Sequence, residues 1–153
     1  MSLQFRAQRG ETERMRFVAF DTAYHGDTVG AANLSGIPLF TSPVSATFDQ
    51  LEARGAEFAE SVNAAIIEPL VQGPGGIRPW PKGMLRQLAD WCEKHGVLLI
   101  LDEVLTGFGR TGTMFACEQE GVTPEFLSVA KGITGGYLPL AATLTTDLAF
   151  TTW

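Results

Sequence analysis

The sequence is poor in basic residues and in long apolar runs. It holds 11 Lys and Arg against 17 Asp and Glu, a net charge of −6, and no cluster of basic residues forms the face that a phosphate backbone requires. A nucleic-acid partner is therefore not expected. The longest strictly aliphatic run, Val97 to Leu101, is far shorter than the roughly 20 residues that cross a bilayer, so no membrane partner is expected either.

Cysteine is equally scarce. Cys92 and Cys117 stand alone, without CxxC or Cys/His spacing, so the sequence indicates neither a disulfide framework nor a metal site. The first residues, MSLQFRAQRGETER, are charged and lack the apolar segment of a signal peptide. These features predict a cytoplasmic protein.

The composition is that of a packed globular domain, with 45% apolar and 18% charged residues in 153 positions. Short apolar runs bounded by turn residues predict strands. They lie at Arg16 to Phe20, Ala64 to Ile67, Val97 to Leu101, Phe126 to Ala130 and Pro139 to Thr145.

Helical spacing appears between these runs. A capping box at Thr47–Gln50 precedes Leu51, Phe58 and Val62 and predicts one helix. A second apolar stripe predicts a helix that ends at Gly96, with a packed His95 near its end. The stripe consists of Met84, Leu85, Leu88, Trp91, Cys92 and His95.

A Gly- and Pro-rich loop is predicted over residues 71–83. The alternation of strands and helices predicts an α/β fold, a mostly parallel sheet flanked by helices.

Polar residues follow four of the predicted strands. Tyr24 and His25 come after the first, Glu68 after the second, Asp102 after the third and Lys131 after the fourth. Because the carboxyl ends of parallel strands meet at one edge of a sheet, we expect these side chains to share one site.

Asp102 and Lys131 carry the chemical interpretation. Taken singly, Asp102 is better explained as a solvated residue or a helix cap, and Lys131 is as readily an exposed lysine before a Gly-rich loop. Together they predict a Schiff-base site. A desolvated lysine amine has a lowered pKa and reacts with an aldehyde cofactor, while the aspartate keeps the cofactor's ring nitrogen protonated.

Gly107 to Gly112 (GFGRTG) matches the GxGxxG pattern of dinucleotide sites. The context disfavours that function, because five residues, including Asp102 and Glu103, separate the predicted strand from the first glycine. Their carboxylates repel a pyrophosphate, and the motif does not open directly into a helix.

Four motifs together resemble the class III (subgroup II) pyridoxal-phosphate aminotransferases, and the resemblance runs from about Phe17 onward. The motifs are AYHGDT, AAIIEPLVQGPGG, LILDEVLTGFGRTG and SVAKGITGG. Within the class, YHGDT, FACE and TGGYLPLAATLTT are most similar to the members that form 7,8-diaminononanoate in biotin synthesis. The resemblance implies part of the large domain of a fold-type I pyridoxal-phosphate transferase.

The resemblance also implies roles for individual residues. Lys131 matches the catalytic lysine that binds pyridoxal 5′-phosphate (PLP) and moves a proton during transamination. Asp102 matches the carboxylate that binds the pyridine nitrogen, and Glu68 matches an acidic residue near the cofactor hydroxyl. Val104 and Tyr24 match residues that pack on the two faces of the ring.

His25 matches the turn beside that stacked aromatic. The implied substrates are a small-molecule amino donor and a keto acceptor, and the implied assembly is a homodimer. Members of the family are longer, so residues 1–153 are expected to form a single partial PLP-binding large domain, with a shortened connector between Gly36 and Ala64. Two alternatives stay open, an ω-amino acid:pyruvate aminotransferase and a non-catalytic folded fragment.

Overall fold

The computed structural model describes residues 1–34, 44–45 and 48–152. The helices are α1 (Ser2–Gln8), α2 (Val29–Asn33), α3 (Phe48–Ala53), α4 (Gly55–Glu60), α5 (Met84–His95) and α6 (Asp147–Thr151). The strands are β1 (Arg16–Ala19), β2 (Val44–Ser45), β3 (Val62–Ile67), β4 (Val71–Gln72), β5 (Arg78–Pro79), β6 (Leu98–Asp102), β7 (Phe126–Val129) and β8 (Ala142–Thr145). Two short 3-10 helices span Ala116–Glu120 and Lys131–Thr134.

One six-stranded sheet organises the molecule, in the order β2-β1-β3-β6-β7-β8. Its first five strands run parallel, and β8 alone pairs antiparallel with β7. The prediction of a mostly parallel α/β sheet is confirmed. The carboxyl ends of β1, β3, β6 and β7 therefore lie along one edge of the sheet.

Both faces of the sheet are covered. All six residues of β3 are buried, and the adjacent residues Ala64 and Ala65 contribute to different clusters, because successive side chains of a strand point to opposite faces. Ala65 and Leu99 belong to the larger core, which α5 covers with Leu85, Leu88 and Trp91. Ala64 and Leu98 belong to a smaller core with Phe5 of α1 and Ala149 of α6. None of the described helices is long and apolar enough to cross a membrane.

The predicted helix α5 is confirmed, including its end at Gly96, which takes a left-handed φ of 61°. His95 packs on Trp91, with ring centroids 5.1 Å apart, as its place on the apolar stripe predicts.

The single helix predicted through Leu51, Phe58 and Val62 is wrong. The chain forms two helices, α3 and α4, because Gly55 takes a left-handed φ of 76° and interrupts the helical path. Val62 begins β3 instead.

Two other predictions concern connecting segments. The loop predicted over residues 71–83 contains a small antiparallel hairpin of β4 and β5. Thr47 of the predicted capping box lies outside the described residues, as does much of the connector expected to be short (35–43 and 46–47).

The sequence did not predict helix α1. Two arginines, Arg6 and Arg14, attach this N-terminal segment to the amino end of the sheet. Arg6 donates to the Gly96 carbonyl at 2.6 Å and the Asn63 carbonyl at 3.3 Å, and it pairs with Glu11. Arg14 donates to the carbonyl oxygens of Ala59, Val62, His95 and Gly96 at 3.1 to 3.4 Å. The last carbonyls of α4 and α5 thereby gain donors that their helices cannot supply.

Both cysteines are buried and free, Cys92 in α5 and Cys117 in the first 3-10 helix. Burial raises the pKa of the Cys92 thiol far above its ordinary value. Burial, followed by the Glu103 carboxylate, raises the pKa of Cys117 to about 12.

Candidate functional site

A cavity of about 250 Å³ opens at the carboxyl end of the sheet. The segments that follow β1, β3, β6 and β7 all contribute to its wall. The lining residues are Tyr24, His25, Gly26, Glu68, Pro74, Asp102, Val104, Leu105 and Lys131. All six residues singled out from the sequence are among them.

Asp102 ends β6 and supplies a fixed carboxylate to this cavity. It is 8% exposed. Its Oδ2 lies 2.8 Å from His25 Nδ1, and its Oδ1 accepts a hydrogen bond from the Val104 amide at 3.1 Å. The His25 side chain is itself only 2% exposed. Since a carboxylate has about four acceptor positions, Asp102 can still accept a bond from a cationic group in the cavity.

Glu68 follows β3 and is a second buried carboxyl group, 3% exposed. Its Oε2 accepts a hydrogen bond from the Gly73 amide at 2.9 Å. Burial raises the pKa of Glu68, and this outweighs the opposing effect of the Gly73 bond; the Asp102 charge raises it further. Its Oε1 is buried without a hydrogen-bond partner among the described residues, although the Tyr24 amide is near enough to lower the pKa slightly.

Lys131 lies two residues after the end of β7, the strand next to β6, so Lys131 and Asp102 line one cavity from adjacent strand ends. Its φ of 47° is left-handed, which is rare for a residue with a side chain. The expectation of a desolvated lysine is wrong for this chain. Lys131 is exposed, and so is most of the turn that carries it, residues 131–141.

Tyr24 and Val104 contribute aromatic and aliphatic surface to the same cavity. The Tyr24 hydroxyl donates to Asp27 Oδ1 at 2.6 Å, and this bond to a carboxylate raises the pKa of the phenol. The tyrosine is therefore held by a neighbour in its own loop.

Sequence reasoning missed the role of Glu103. This residue is fully buried and accepts hydrogen bonds from Thr106 Oγ1 at 2.7 Å and from the Ala116 and Cys117 amides at 2.9 Å. Neighbouring positions at a strand end point to opposite faces. That alternation could have predicted that Asp102 and Glu103 cannot both face the cavity.

Two apolar contributors, Pro74 and Leu105, were also missed. Leu105 packs directly against the backbone of Gly73, since a Cβ added at Gly73 would lie 2.1 Å from Leu105 Cδ2. The glycines of the QGPGG motif were a usable signal, because glycine marks positions where neighbouring groups come close to the backbone.

The GFGRTG motif lies in the turn-rich segment between β6 and the first 3-10 helix. The Gly107 amide donates to the Glu103 carbonyl at 2.9 Å, and no described α-helix begins at the end of the motif. The segment therefore lacks the helix N-terminus on which a dinucleotide site places its pyrophosphate.

The chain is similar to known proteins in both sequence and fold. The family model described as aminotransferase class-III matches residues 40–153. An adenosylmethionine-8-amino-7-oxononanoate aminotransferase of Nitratidesulfovibrio vulgaris is 44% identical over 169 residues, covering 92% of this chain and 31% of that protein. The chain thus spans about a third of the length of this curated relative.

Solved structures give the same fold. The adenosylmethionine-8-amino-7-oxononanoate aminotransferase of Methanocaldococcus jannaschii superposes with a TM-score of 0.89 at 37% identity, covering 99% of this chain and 39% of that one. An amine transaminase from an uncultivated Pseudomonas species, solved in its PLP-bound form, superposes with a TM-score of 0.88 at 32% identity, covering 99% and 40%.

Proposed function

Because the chain belongs to the class III aminotransferase family, whose members depend on PLP, we propose that it supplies the cofactor-binding part of an enzyme that aminates 8-amino-7-oxononanoate to 7,8-diaminononanoate in biotin synthesis. The observation that carries the proposal is the shared cavity of Asp102 and Lys131 at adjacent strand ends. The choice of substrate is supported by the names of relatives that are 37 to 44% identical.

The residues of the cavity fit PLP. Asp102 offers a buried carboxylate with remaining acceptor capacity, and Lys131 offers a primary amine. Glu68 offers a buried oxygen without a hydrogen-bond partner in the described ranges, which suits a cofactor hydroxyl. When bound, PLP supplies an aldehyde that captures amines and a ring that withdraws electrons.

Each residue then has a defined task. Asp102 would hold a proton on the cofactor's ring nitrogen, because a carboxylate in a partly desolvated site stabilises an adjacent cation. His25 orients that carboxylate through the contact between Nδ1 and Oδ2. Lys131 Nζ would hold the cofactor through its aldehyde, and the same amine, once a substrate amine has replaced it there, would accept and return a proton. Tyr24 and Val104, which line the same cavity, would pack against the cofactor and exclude water.

We propose these activities for the complete protein in which residues 1–153 act as one partial PLP-binding large domain. The partners are a small-molecule amino donor, a keto acceptor and a second subunit. Exposed apolar side chains support association, since Tyr137, Leu138 and Leu140 are 91%, 70% and 54% exposed. We expect the 153-residue chain alone to have little activity.

Reductive labelling tests the cofactor site. The chain is incubated with PLP, reduced with borohydride and digested, and the labelled peptide is identified by mass spectrometry. We expect the label on Lys131 and its loss in Lys131→Arg, with Lys82→Arg and Lys94→Arg as matched controls that keep it. A label confined to other lysines would refute the assignment.

The substrate is tested with the complete protein. We expect it to aminate 8-amino-7-oxononanoate, and candidate amino donors are compared in the same assay. An ω-amino acid:pyruvate aminotransferase is the second candidate, favoured by the amine transaminase that superposes almost equally well. Turnover of pyruvate without turnover of 8-amino-7-oxononanoate would select it. Binding without transamination by the complete protein would indicate a non-catalytic module.

A further inference from the structure

Phe108 and Lys131 share an unusual backbone conformation and belong to neighbouring loops. Their φ angles are 60° and 47°, both left-handed. Residues with a side chain adopt this region rarely, and a bulky one does so only where its surroundings enforce it. Phe108 belongs to the loop after β6 and Lys131 to the turn after β7.

Gly132 joins the two loops. A Cβ built on it would lie 2.8 Å from both Cβ and Cδ2 of Phe108 and 3.0 Å from Cγ. The φ of Gly132 lies outside the left-handed region, so its backbone does not require glycine. The space does, because Phe108 occupies the position that a side chain would take.

Phe108 packs against a second aromatic residue, Phe115. Its ring meets the Phe115 ring edge-on, with centroids 5.8 Å apart and planes at 65°. The Phe115 amide donates to Glu118 Oε1 at 3.1 Å, and the next two amides donate to the buried Glu103 carboxylate. The segment that supports Phe108 therefore has a fixed attachment to the core.

We propose that Phe108 is a positioning residue for Lys131. By packing on Gly132, it fixes the turn after β7 in the conformation that places Lys131 in the wall of the cavity. This inference deepens the proposed function and rests on it, since it concerns the lysine assigned to PLP. Phe108 itself does not line the cavity.

A double-mutant cycle tests the contact, using Gly132→Ala, Phe108→Gly and the two combined. The first readout is the PLP concentration that gives half-maximal borohydride labelling of Lys131. The second, measured without cofactor, is the urea midpoint of unfolding. Phe108→Gly is preferred to Phe108→Ala because alanine keeps the Cβ that would meet the new methyl group.

We expect each single substitution to raise the half-maximal PLP concentration roughly tenfold, an effect of about 1.4 kcal/mol. The combined variant should be no worse than the Phe108→Gly variant, because the alanine then has room. The urea midpoint should fall for Gly132→Ala in the native background and change little when Phe108→Gly is already present. Effects that multiply to roughly a hundredfold, or a Gly132→Ala variant within twofold of the native chain, would overturn the proposal.

Two controls separate positioning from general damage. Gly30→Ala adds a methyl group where nothing lies within 4 Å, and Phe150→Ala removes a ring that is 73% exposed; neither should change labelling of Lys131. If Gly132→Ala does not fold, Phe108→Leu is compared with Phe108→Gly. The leucine should preserve labelling and the glycine should not, and equal labelling would overturn the proposal.

Failure of the proposed function gives a different result. A native chain that shows no label on Lys131 refutes the PLP site, whereas the cofactor-free unfolding cycle still reports whether Phe108 and Gly132 are coupled. An uncoupled unfolding cycle together with normal labelling refutes the positioning role and leaves the PLP site intact.

Discussion

The two ends of the parallel sheet use charged side chains in opposite ways. At the amino end, Arg6 and Arg14 direct their guanidinium groups at backbone carbonyls and at Glu11. At the carboxyl end, Asp102 and Glu68 face a cavity. The first arrangement satisfies the backbone of the fold, and the second leaves acceptor capacity for another molecule.

Strained backbone conformations also concentrate at the carboxyl end of the sheet. The described residues other than glycine with left-handed φ are Thr22, Leu70, Ile77, Phe108 and Lys131. All except Ile77 lie in segments that directly follow a parallel strand. Such conformations cost about 1 to 3 kcal/mol each and collect at functional sites. One end of the sheet thus stabilises the protein while the other holds strained loops around a cavity.

Glu103 is the informative exception, because it belongs to the carboxyl end yet acts like the arginines of the opposite end. Its neighbour Asp102 faces the cavity, while Glu103 is fully buried and binds backbone amides and a hydroxyl. The difference between adjacent carboxylates is therefore one of direction along the strand end, not of residue type.

Removing Glu103 should have the largest effect on stability. Glu103→Ala leaves two buried amides and the Thr106 hydroxyl without an acceptor and opens a cavity, so we expect a loss of about 4 kcal/mol in the free energy of unfolding. Glu103→Gln keeps one acceptor oxygen and should lose about half as much. Urea denaturation measures both. A loss below about 1 kcal/mol for the alanine variant would show that these bonds do not support the loop.

Removing Arg6 should have the next largest effect. Arg6→Met leaves Glu11 and the Gly96 carbonyl without this donor, and we expect a loss of about 3 kcal/mol in unfolding free energy. Labelling of Lys131 by PLP should remain unchanged below the unfolding transition. Arg9→Met is the control, since its side chain is 45% exposed and should contribute less than about 1 kcal/mol. Weakened labelling in Arg6→Met would contradict the separation of the two ends.

Asp102→Asn should have the opposite effects to Arg6→Met, with a small loss of stability and a large loss of cofactor binding. We expect about 1 kcal/mol of lost stability, because the amide oxygen can still accept from Val104, but a rise of roughly thirtyfold in the dissociation constant of PLP, corresponding to about 2 kcal/mol. Fluorescence titration with PLP measures the binding. Unchanged affinity would remove Asp102 from the cofactor site.

Glu68 should give the smallest effect, visible in its pH dependence. Its pKa is raised in the folded state, chiefly by burial. The native state therefore holds this proton more firmly than the unfolded chain does, and stability is lost as the pH rises through the folded pKa. We expect Glu68→Gln to be more stable than the native chain at neutral pH and equal to it below about pH 4. A native chain that is the more stable one at neutral pH would contradict this.

The sequence predicts the carboxyl end of the sheet better than its amino end. Glu68, Asp102 and Lys131 each follow a largely buried strand, so the rule that parallel strands end at one edge brings these three residues together. Helix α5 carries its own local signals, an apolar stripe and a terminal glycine. Helix α1 carries few, with no acidic residue in its first turn and no side-chain cap, and Phe5 and Arg6 attach it through distant partners.

Two further errors have separate origins, one local and one in long-range packing. The stripe through Leu51, Phe58 and Val62 is consistent with one helix, yet a single left-handed Gly55 divides it. The apolar run before Lys131 predicts that this residue is buried. Its exposure depends instead on the contacts that other segments make over the following turn. Such contacts join residues far apart in the chain, and local patterns do not encode them.

The two buried, free thiols can report local opening of the structure. Both belong to the larger core, Cys92 as a residue of α5 and Cys117 as a residue of the first 3-10 helix, where its amide donates to Glu103. An alkylating reagent can modify each thiol only when its surroundings open, because only the thiolate reacts and burial suppresses it. The ratio of the two alkylation rates therefore compares local opening around the first 3-10 helix with local opening around α5.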